Sequence, residues 1–227
     1  MKVIKVLQKI KRKTTKITIP DMGAAEDWVL VVYTDAATKK IDEAFSVSGY
    51  VLFLVNRKTY AATPITWSSK KIERVVSSSL AAETLALVKV IGIIYFTKEI
   101  LKQMYGKGQG NVPCLTMVDS KDLFEAVHNV KNTNDKRLIG DILLIKQAIA
   151  VDGVIDELRH VSSNEMLADC LTKDGANGEE LLNCLRTGAL YIQGGLEIGR
   201  SKKLETSAWR KLIQAQSKGF EDDENQV

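Results

Sequence analysis

Four acidic residues occupy positions where their side chains could bind metal ions. Asp35 ends the apolar run "VLVVYTD", and Asp119 ends the apolar run "CLTMVD". Glu83 lies in the first turns of a helical pattern that begins "SSSLAAETLAL", and Asp169 lies about one turn into a second predicted helix, between Ala168 and Cys170. Carboxylates that converge on one cleft repel each other unless a cation neutralises them. Oxygen ligands without His or Cys favour Mg²⁺, or Mn²⁺ as a substitute.

Each of these acids, taken singly, also has a simpler explanation. An Asp at the end of a strand is common in turns and at helix N-caps. Glu83 and Asp169 could merely favour the positive N-terminal ends of their helices. The four together, at two strand ends and two helix starts, are a less ordinary combination. We therefore predict one site, because ligands of α/β proteins lie at the carboxyl ends of central strands.

The chemistry expected of such a site is phosphodiester hydrolysis. Two divalent ions held about 3.5–4 Å apart form the usual clamp for in-line attack on a phosphodiester. One ion lowers the pKa of the attacking water, and the other stabilises the leaving 3′-oxygen.

The hydrophobic pattern predicts the elements that would position these acids. Val-rich runs and tight turns predict three antiparallel strands at about 28–35, 48–55 and 59–69, the last interrupted by Pro64. A long buried helix follows at about 79–104, capped by Ser77 or Ser78.

The second half of the chain alternates strands and helices. The fourth strand ends at Asp119, and the fifth lies within "DGVIDELRHV". Helices are predicted over 120–130, 134–151, from "SNEMLADCLTK" with Ser163 or Asn164 as its cap, and over 175–188. Strands linked through helices pair in parallel. The order predicts an α/β fold with a mixed five-stranded sheet, three antiparallel strands and then parallel ones, flanked by helices.

Composition sets the limits of this domain. Residues 1–27 form a basic arm, 28–188 the predicted domain, and 189–227 a polar appendage with an acidic end. The three cysteines form no CxxC pair, so neither a disulfide framework nor a zinc site is expected. No apolar run reaches the roughly 18–20 residues that span a bilayer, and no secretory signal is recognisable. We expect an intracellular protein, cytoplasmic or nuclear, that is not secreted and has no membrane partner.

A series of motifs resembles one known family. The segments "VVYTDAA", "SGYVLFLV", "ITWSSKK", "SSLAAETLAL", "MVDSKDLFEAV", "NDKRL" and "LADCLTK" are similar, in this order, to the ribonuclease H domain of copia-like retrotransposon polyproteins. They span about residues 28–188. The start "ITIPDMG" resembles the linker that follows reverse transcriptase there, so the chain looks like a fragment or a detached domain.

This resemblance implies a ribonuclease H-like fold and cleavage of the RNA strand of RNA–DNA hybrids. It implies Asp35, Glu83, Asp119 and Asp169 as the catalytic metal ligands for two Mg²⁺ ions. Their Asp-Glu-Asp-Asp order differs from retroviral-type integrases, where the Glu comes last. The resemblance also implies a reverse transcriptase domain as a partner, and virus-like particles as the location in an active element.

One feature departs from the related cellular enzymes. They carry a mobile His in the loop before the last Asp, whereas "VSSNEMLAD" has none. His160 precedes this loop and is expected to pack within the fifth strand. The proton-shuttling part of the mechanism is therefore left to solvent or to another group.

Several residues are candidates for contacts with the substrate backbone and 2′-hydroxyls. The serines could donate to phosphate or sugar, or serve as helix caps. The basic residues could hold phosphates, or lie on a solvated face. The candidates are Ser78, Ser79, Ser120, Lys70, Lys71, Arg74, Lys136 and Arg137. Trp67 is expected to pack in the core or on its strand rather than to stack on bases.

Two other functions compete with an RNA–DNA hybrid nuclease. The first is a catalytically inactive, transposon-derived module that binds nucleic acid or a protein. The second is another member of the same superfamily, such as a DNA nuclease. The presence of all four acids argues against the first, and the place of Glu83 between the third and fourth strands argues against the second.

Overall fold

A mixed sheet of five strands organises the chain. The computed structural model describes residues 16–38, 45–105, 112–129 and 135–198. The sheet order is β3-β2-β1-β4-β5, with β1–β3 antiparallel and β4 and β5 parallel to β1. The strands are β1 (Trp28–Ala37), β2 (Val47–Asn56), β3 (Ala62–Lys71), β4 (Cys114–Val118) and β5 (Glu157–His160). The predicted mixed five-stranded sheet is confirmed.

Five helices connect or follow the strands in the described residues. They are α1 (Ser79–Tyr105), α2 (Lys121–His128), α3 (Ile139–Ala150), α4 (Asp169–Thr172) and α5 (Glu179–Thr187). Short 3₁₀ turns occupy Ala25–Asp27, Lys136–Leu138 and Ser163–Glu165.

The two faces of the sheet are buried against different parts of the chain. Leu30, Val32 and Leu52 pack against α1 and the helices after it. Val31, Tyr33 and Phe53 lie on the opposite face, which the segment after β5 covers. Because both faces are covered, β1 and β2 are buried along almost their whole length, and this is why they read as continuous apolar runs.

Helix α1 is the main core helix of the first face. By length and composition alone it could cross a membrane, yet half of its most apolar segment is buried in the domain. It packs along β1 and β2 and against α3.

Both predicted domain boundaries are corrected by the packing. Leu190 and Leu196 are buried in the second core, which is the one on the sheet face of Val31 and Phe53. Ala189 forms a β-bridge with Ala61. Residues 189–198 therefore belong to the domain and are not a polar appendage. Residues 16–27 also contact it, since the Thr18 backbone N–H donates to the Leu185 carbonyl at 2.8 Å. The basic segment 1–15 and the acidic end lie outside the described residues.

The helix predicted from "SNEMLADCLTK" is wrong in its start and its length. Ser162, not Ser163 or Asn164, forms a capping box with Glu165 over a 3₁₀ turn. The chain then extends so that Met166 and Leu167 enter the second core. Helix α4 begins only at Asp169 and lasts a single turn. Burial of these two side chains outweighs the local tendency to continue the helix.

Candidate metal centre

Two parallel strands bring the first pair of carboxylates together. β1 and β4 pair in register up to Tyr33 and Met117, and Asp35 and Asp119 each come two residues later. Both acids therefore lie at the carboxyl end of the sheet centre, where the predicted site was placed. Asp35 is fully buried and Asp119 is half-buried.

Helix α1 supplies the third carboxylate. Ala81 and Ala82 are buried at its start, and Ala82 packs near Ala36, so the first turn approaches the end of β1 closely. The Glu83 Oε1 atom accepts a hydrogen bond from the Ala36 N–H at 3.2 Å. Asp35, Glu83 and Asp119 each offer an oxygen, and these oxygens lie within 4.8 Å of one another.

The electrostatics of this cluster call for a positive ion. Asp35 Oδ1 and Glu83 Oε2 are buried without a hydrogen-bond partner. Burial, together with the nearby charges of Asp35 and Asp119, raises the pKa of Glu83 to about 9. Burial also raises the pKa of Asp35, against the hydrogen bond from Thr172 and the charge of Lys173. Buried carboxylate oxygens without a hydrogen-bond donor suit a hard divalent cation such as Mg²⁺ or Mn²⁺.

The fourth predicted ligand, Asp169, stands apart from this three-residue cluster. It is the first residue of α4, and its Oδ1 accepts from Lys173 Nζ at 2.7 Å. The same ammonium lies 3.5 Å from Asp35 Oδ1, an ion pair without a hydrogen bond. The Thr172 hydroxyl donates to Asp35 Oδ2. Asp169 is thus connected to the cluster by Lys173, whose ammonium contacts both Asp169 and Asp35.

Thr172 and Lys173 were not among the residues predicted from the sequence. The signal was present, because "LADCLTK" places two polar residues three and four positions after Asp169, on one side of a helical turn. Their role emerges only when α4 lies against β1 and β2.

Gly49 allows this approach of α4. It faces Asp35 in the β1–β2 register. A Cβ at position 49 would lie 2.7 Å from Thr172 Cγ2 and 2.9 Å from Leu171 Cβ. Both distances are shorter than van der Waals contact, so any other residue would push α4 away from Asp35.

Gly49→Ala is therefore expected to destabilise the protein by about 1–3 kcal/mol, the usual cost of overpacking. It should also weaken divalent-ion binding, because Thr172 no longer holds the Asp35 carboxylate and Asp169 moves away from Asp35. Urea unfolding with and without Mg²⁺ measures both effects. Gly92→Ala is the control, since nothing lies within 4 Å of a Cβ there and Ala favours the exposed helix by about 1 kcal/mol. Equal stability of the two variants would contradict close docking of α4.

Asp119 has two further neighbours. Ser163 Oγ donates to Asp119 Oδ2 at 3.0 Å, a contact that the sequence did not suggest. His160 Nε2 lies 3.1 Å from the Asp119 carbonyl oxygen. His160 lies in β5 as predicted and its ring contacts Phe124, but the residue is exposed at the end of the strand and is not buried in the core. A strand end leaves that side chain at the rim of the sheet, next to the site.

The serines of the predicted substrate set serve as helix caps or lie next to one. Ser78 Oγ accepts from the Ala81 N–H at 3.1 Å, and Ser120 Oγ accepts from the Leu123 N–H at 3.3 Å. Ser79 is the first residue of α1. The cap that the sequence assigned to Ser77 or Ser78 is thus Ser78.

The basic candidates differ in their partners, and the ammonium of Lys71 lies 4.8 Å from the centre of the Phe45 ring. Arg74 contacts Asp141 at 3.0 Å, and Arg137 contacts Asp135 at 3.2 Å, so both have acidic partners. Lys70 and Lys71 are exposed at the end of β3.

β3 and β1 finish at the same end of the sheet, because Lys70 pairs with Ser48 and Ser48 pairs with Ala36. Lys136 is exposed in the 3₁₀ turn before α3. Trp67, predicted to pack, is 57% exposed on the edge strand.

The fold and the site together define a mixed α/β domain with an acidic centre at the carboxyl ends of two parallel strands. Comparisons with family models and with curated proteins find no match. Similar solved structures include LC11-RNase H1, isolated from compost, and RNase H1 of the archaeon Halobacterium salinarum. Each is 18% identical over 63% of this chain, with a TM-score of 0.44. The matches cover 92% and 93% of those chains, respectively.

A longer viral protein is also similar in structure. The foamy viral protease-reverse transcriptase, solved in complex with an RNA/DNA hybrid, is 14% identical with a TM-score of 0.43. The match covers 78% of this chain and 21% of the viral one. The strand order and the pairing described above define the fold without these similarities.

Proposed function

We propose that this chain is a divalent-cation-dependent endonuclease that hydrolyses the RNA strand of RNA–DNA hybrids by a two-metal mechanism. The observation that carries the proposal is the cluster of Asp35, Glu83 and Asp119, whose carboxylate oxygens lie within 4.8 Å. Two of its oxygens are buried without a hydrogen-bond partner. A fold that assembles such a cluster is costly unless a bound cation compensates for it.

The chain's own residues would hold and orient the ions. Asp35 would be the shared ligand, since it lies beside Glu83 and Asp119 and also contacts Thr172 and Lys173. Asp119 and Glu83 would be the other ligands of the first ion, and Asp169 would be that of the second. Bound Mg²⁺ or Mn²⁺ would lower the pKa of a water and stabilise the leaving 3′-oxygen. Thr172 fixes the Asp35 carboxylate through its hydroxyl hydrogen bond.

The substrate class rests on the motif series and on the exposed lysines near the site. The order of "VVYTDAA", "AAETLAL", "MVDSKD" and "LADCLTK" resembles copia-like ribonucleases H. Lys70 and Lys71 are exposed at the same end of the sheet as Asp35, and we assign to them contacts with the backbone of a bound duplex. Phosphate contacts of this kind position a nucleic acid without reading its sequence.

The proposal extends to the context in which the domain works. The same motifs favour an origin in a copia-like polyprotein, with a reverse transcriptase domain as the partner. They favour an intracellular location, in the cytoplasm, the nucleus or a virus-like particle.

A cleavage assay tests the activity and the substrate class together. The protein is mixed with an end-labelled RNA–DNA hybrid, double-stranded RNA or double-stranded DNA in Mg²⁺, Mn²⁺ or EDTA. We expect cation-dependent loss of the RNA strand of the hybrid alone. A separate filter-binding measurement reports hybrid affinity.

Other outcomes would assign the alternatives. Tight hybrid binding without cleavage at high protein concentration would indicate an inactive binding module. Cleavage of double-stranded DNA at a similar rate would indicate a DNA nuclease of the same superfamily. Either result contradicts the proposed function.

A further inference from the structure

Lys173 occupies an unusual place among the charged residues of this protein. Its ammonium lies between Asp169 Oδ1, at 2.7 Å, and Asp35 Oδ1, at 3.5 Å. In the described part of the chain, these are the only ion pairs that either acid makes. Lys173 is therefore the cation that balances this side of the centre when no metal ion is bound.

Another lysine shows what a purely structural ion pair looks like in the same protein. Lys98 is buried, and its Nζ binds both Asp156 at 2.7 Å and the Gly153 carbonyl at 2.9 Å. The side chain of Lys173 is 40% exposed, and the contacts found for its ammonium among the described residues are carboxylates. An ammonium held this way can return to water at little cost.

The Lys173 ammonium lies in one of two spaces that the four carboxylates define. Asp35, Glu83 and Asp119 surround one space, while Asp35 and Asp169 flank a second. Two cations that share Asp35 would occupy these two spaces. The Lys173 ammonium already lies in the second.

We propose that Lys173 and the second divalent ion compete for the space between Asp35 and Asp169. The first ion binds to Asp35, Glu83 and Asp119 while Lys173 stays in place. The second ion binds only when the Lys173 ammonium moves out towards solvent. This inference rests on the proposed function, because it concerns the same centre, and it assigns Lys173 as a positioning residue that controls occupancy of the second site.

Direct measurement of ion binding tests the competition without any substrate. Mn²⁺ is titrated into the full chain and followed by calorimetry, and electron paramagnetic resonance detects coupled Mn²⁺ pairs. Lys173→Met removes the charge and keeps the length of the side chain. We expect the second ion to bind at least about 10-fold more tightly to this variant, because the ion no longer has to displace an ammonium from Asp35 and Asp169. The first ion should bind with little change.

Two variants serve as controls. Lys173→Arg keeps the positive charge and should keep the second site weak. Lys102→Met removes an exposed lysine that pairs with Glu99 on α1, far along the helix from Glu83, and should change neither site. Thermal unfolding in EDTA confirms that each variant is folded.

The outcomes separate this inference from the proposed function. If the wild-type chain binds Mn²⁺ and cleaves the hybrid, but Lys173→Met leaves the second affinity unchanged or weaker, the competition is wrong and the nuclease proposal stands. If the wild-type chain binds no divalent ion, both proposals fail. A coupled Mn²⁺ pair that forms at lower concentration in Lys173→Met than in Lys173→Arg supports the competition.

Discussion

Asp35→Asn is expected to reduce cleavage of the RNA–DNA hybrid by at least about 10³-fold, a loss of about 4 kcal/mol in transition-state stabilisation. In the proposed two-ion centre Asp35 would be a ligand of both ions, so the amide would weaken both at once. Asp119→Asn should give a comparable loss, because it removes a second ligand of the same cluster. Initial rates in Mg²⁺ measure the effect.

The same substitution should have the opposite effect on stability. Asp35 is fully buried beside Glu83 and Asp119, and burial raises its pKa. A neutral amide at position 35 removes the buried charge and its repulsion with the nearby carboxylates. Metal-free Asp35→Asn should therefore be more stable than the wild type by about 1 kcal/mol. Saturating Mg²⁺ should stabilise only the wild type, by about 2.7 kcal/mol at 100 times the dissociation constant.

Asp152→Asn is the matched control, since Asp152 lies in an exposed turn after α3. It should leave both the cleavage rate and the response to Mg²⁺ unchanged. A near-normal rate in Asp35→Asn would show that the carboxylate cluster is not the catalytic centre. Thermal unfolding of each metal-free variant accompanies the rate measurement, so that rates are compared between folded proteins.

The second large effect concerns Glu83 and pH. Burial and the charges of Asp35 and Asp119 raise the pKa of Glu83 from an ordinary value near 4.5 to about 9 in the metal-free protein. The folded chain therefore binds this proton more tightly than the unfolded chain does. The free energy of unfolding must then fall as pH rises from about 4.5 to about 9, by up to about 1.4 kcal/mol per pH unit for one proton.

Glu83→Gln removes this titration and keeps the hydrogen-bond acceptor for the Ala36 N–H. In EDTA, its stability should depend less on pH than that of the wild type, and the difference between the two should grow from pH 5 to pH 8 on the order of 1–3 kcal/mol. Urea unfolding at several pH values measures the difference. Cleavage should be lost, because the amide does not replace a metal-ligating carboxylate.

Glu99→Gln, on the same helix but outside the cluster, is the control. Its stability should follow the wild-type pH profile. Parallel profiles for Glu83→Gln and the wild type would mean that Glu83 is already ionised in the metal-free protein. Proton release on Mg²⁺ binding, measured by calorimetry in two buffers, gives an independent value, because the ion displaces the Glu83 proton.

The sheet was the most predictable part of this protein. The runs "VLVVYT" and "YVLFLV" are apolar at successive positions because β1 and β2 are covered on both faces. An acid that ends such a run stands out, and this is why the sequence predicted Asp35 and Asp119 as members of one carboxylate cluster. The long apolar pattern of α1 made Glu83 equally visible.

The segment after β5 was the least predictable. Met166 and Leu167 look helical beside Asp169, but they leave the helix to fill the second core. Leu190 and Leu196 carry no periodic signal, yet they close the same core. Residues that fill gaps against a distant sheet face leave little trace in local sequence patterns.

The sequence by itself determined which residue types end the central strands and begin α1, since runs of buried apolar residues and turn signals are local properties. Only the tertiary structure decided which acids share a space. Pairing of β1 with β4 brings Asp35 and Asp119 together beside Glu83. Docking of α4 over Gly49 leaves Asp169 outside this cluster and places the Lys173 ammonium between Asp35 and Asp169. Such contacts join residues far apart in the chain, and the distances of a few Å that govern electrostatic coupling exist only after the chain has folded.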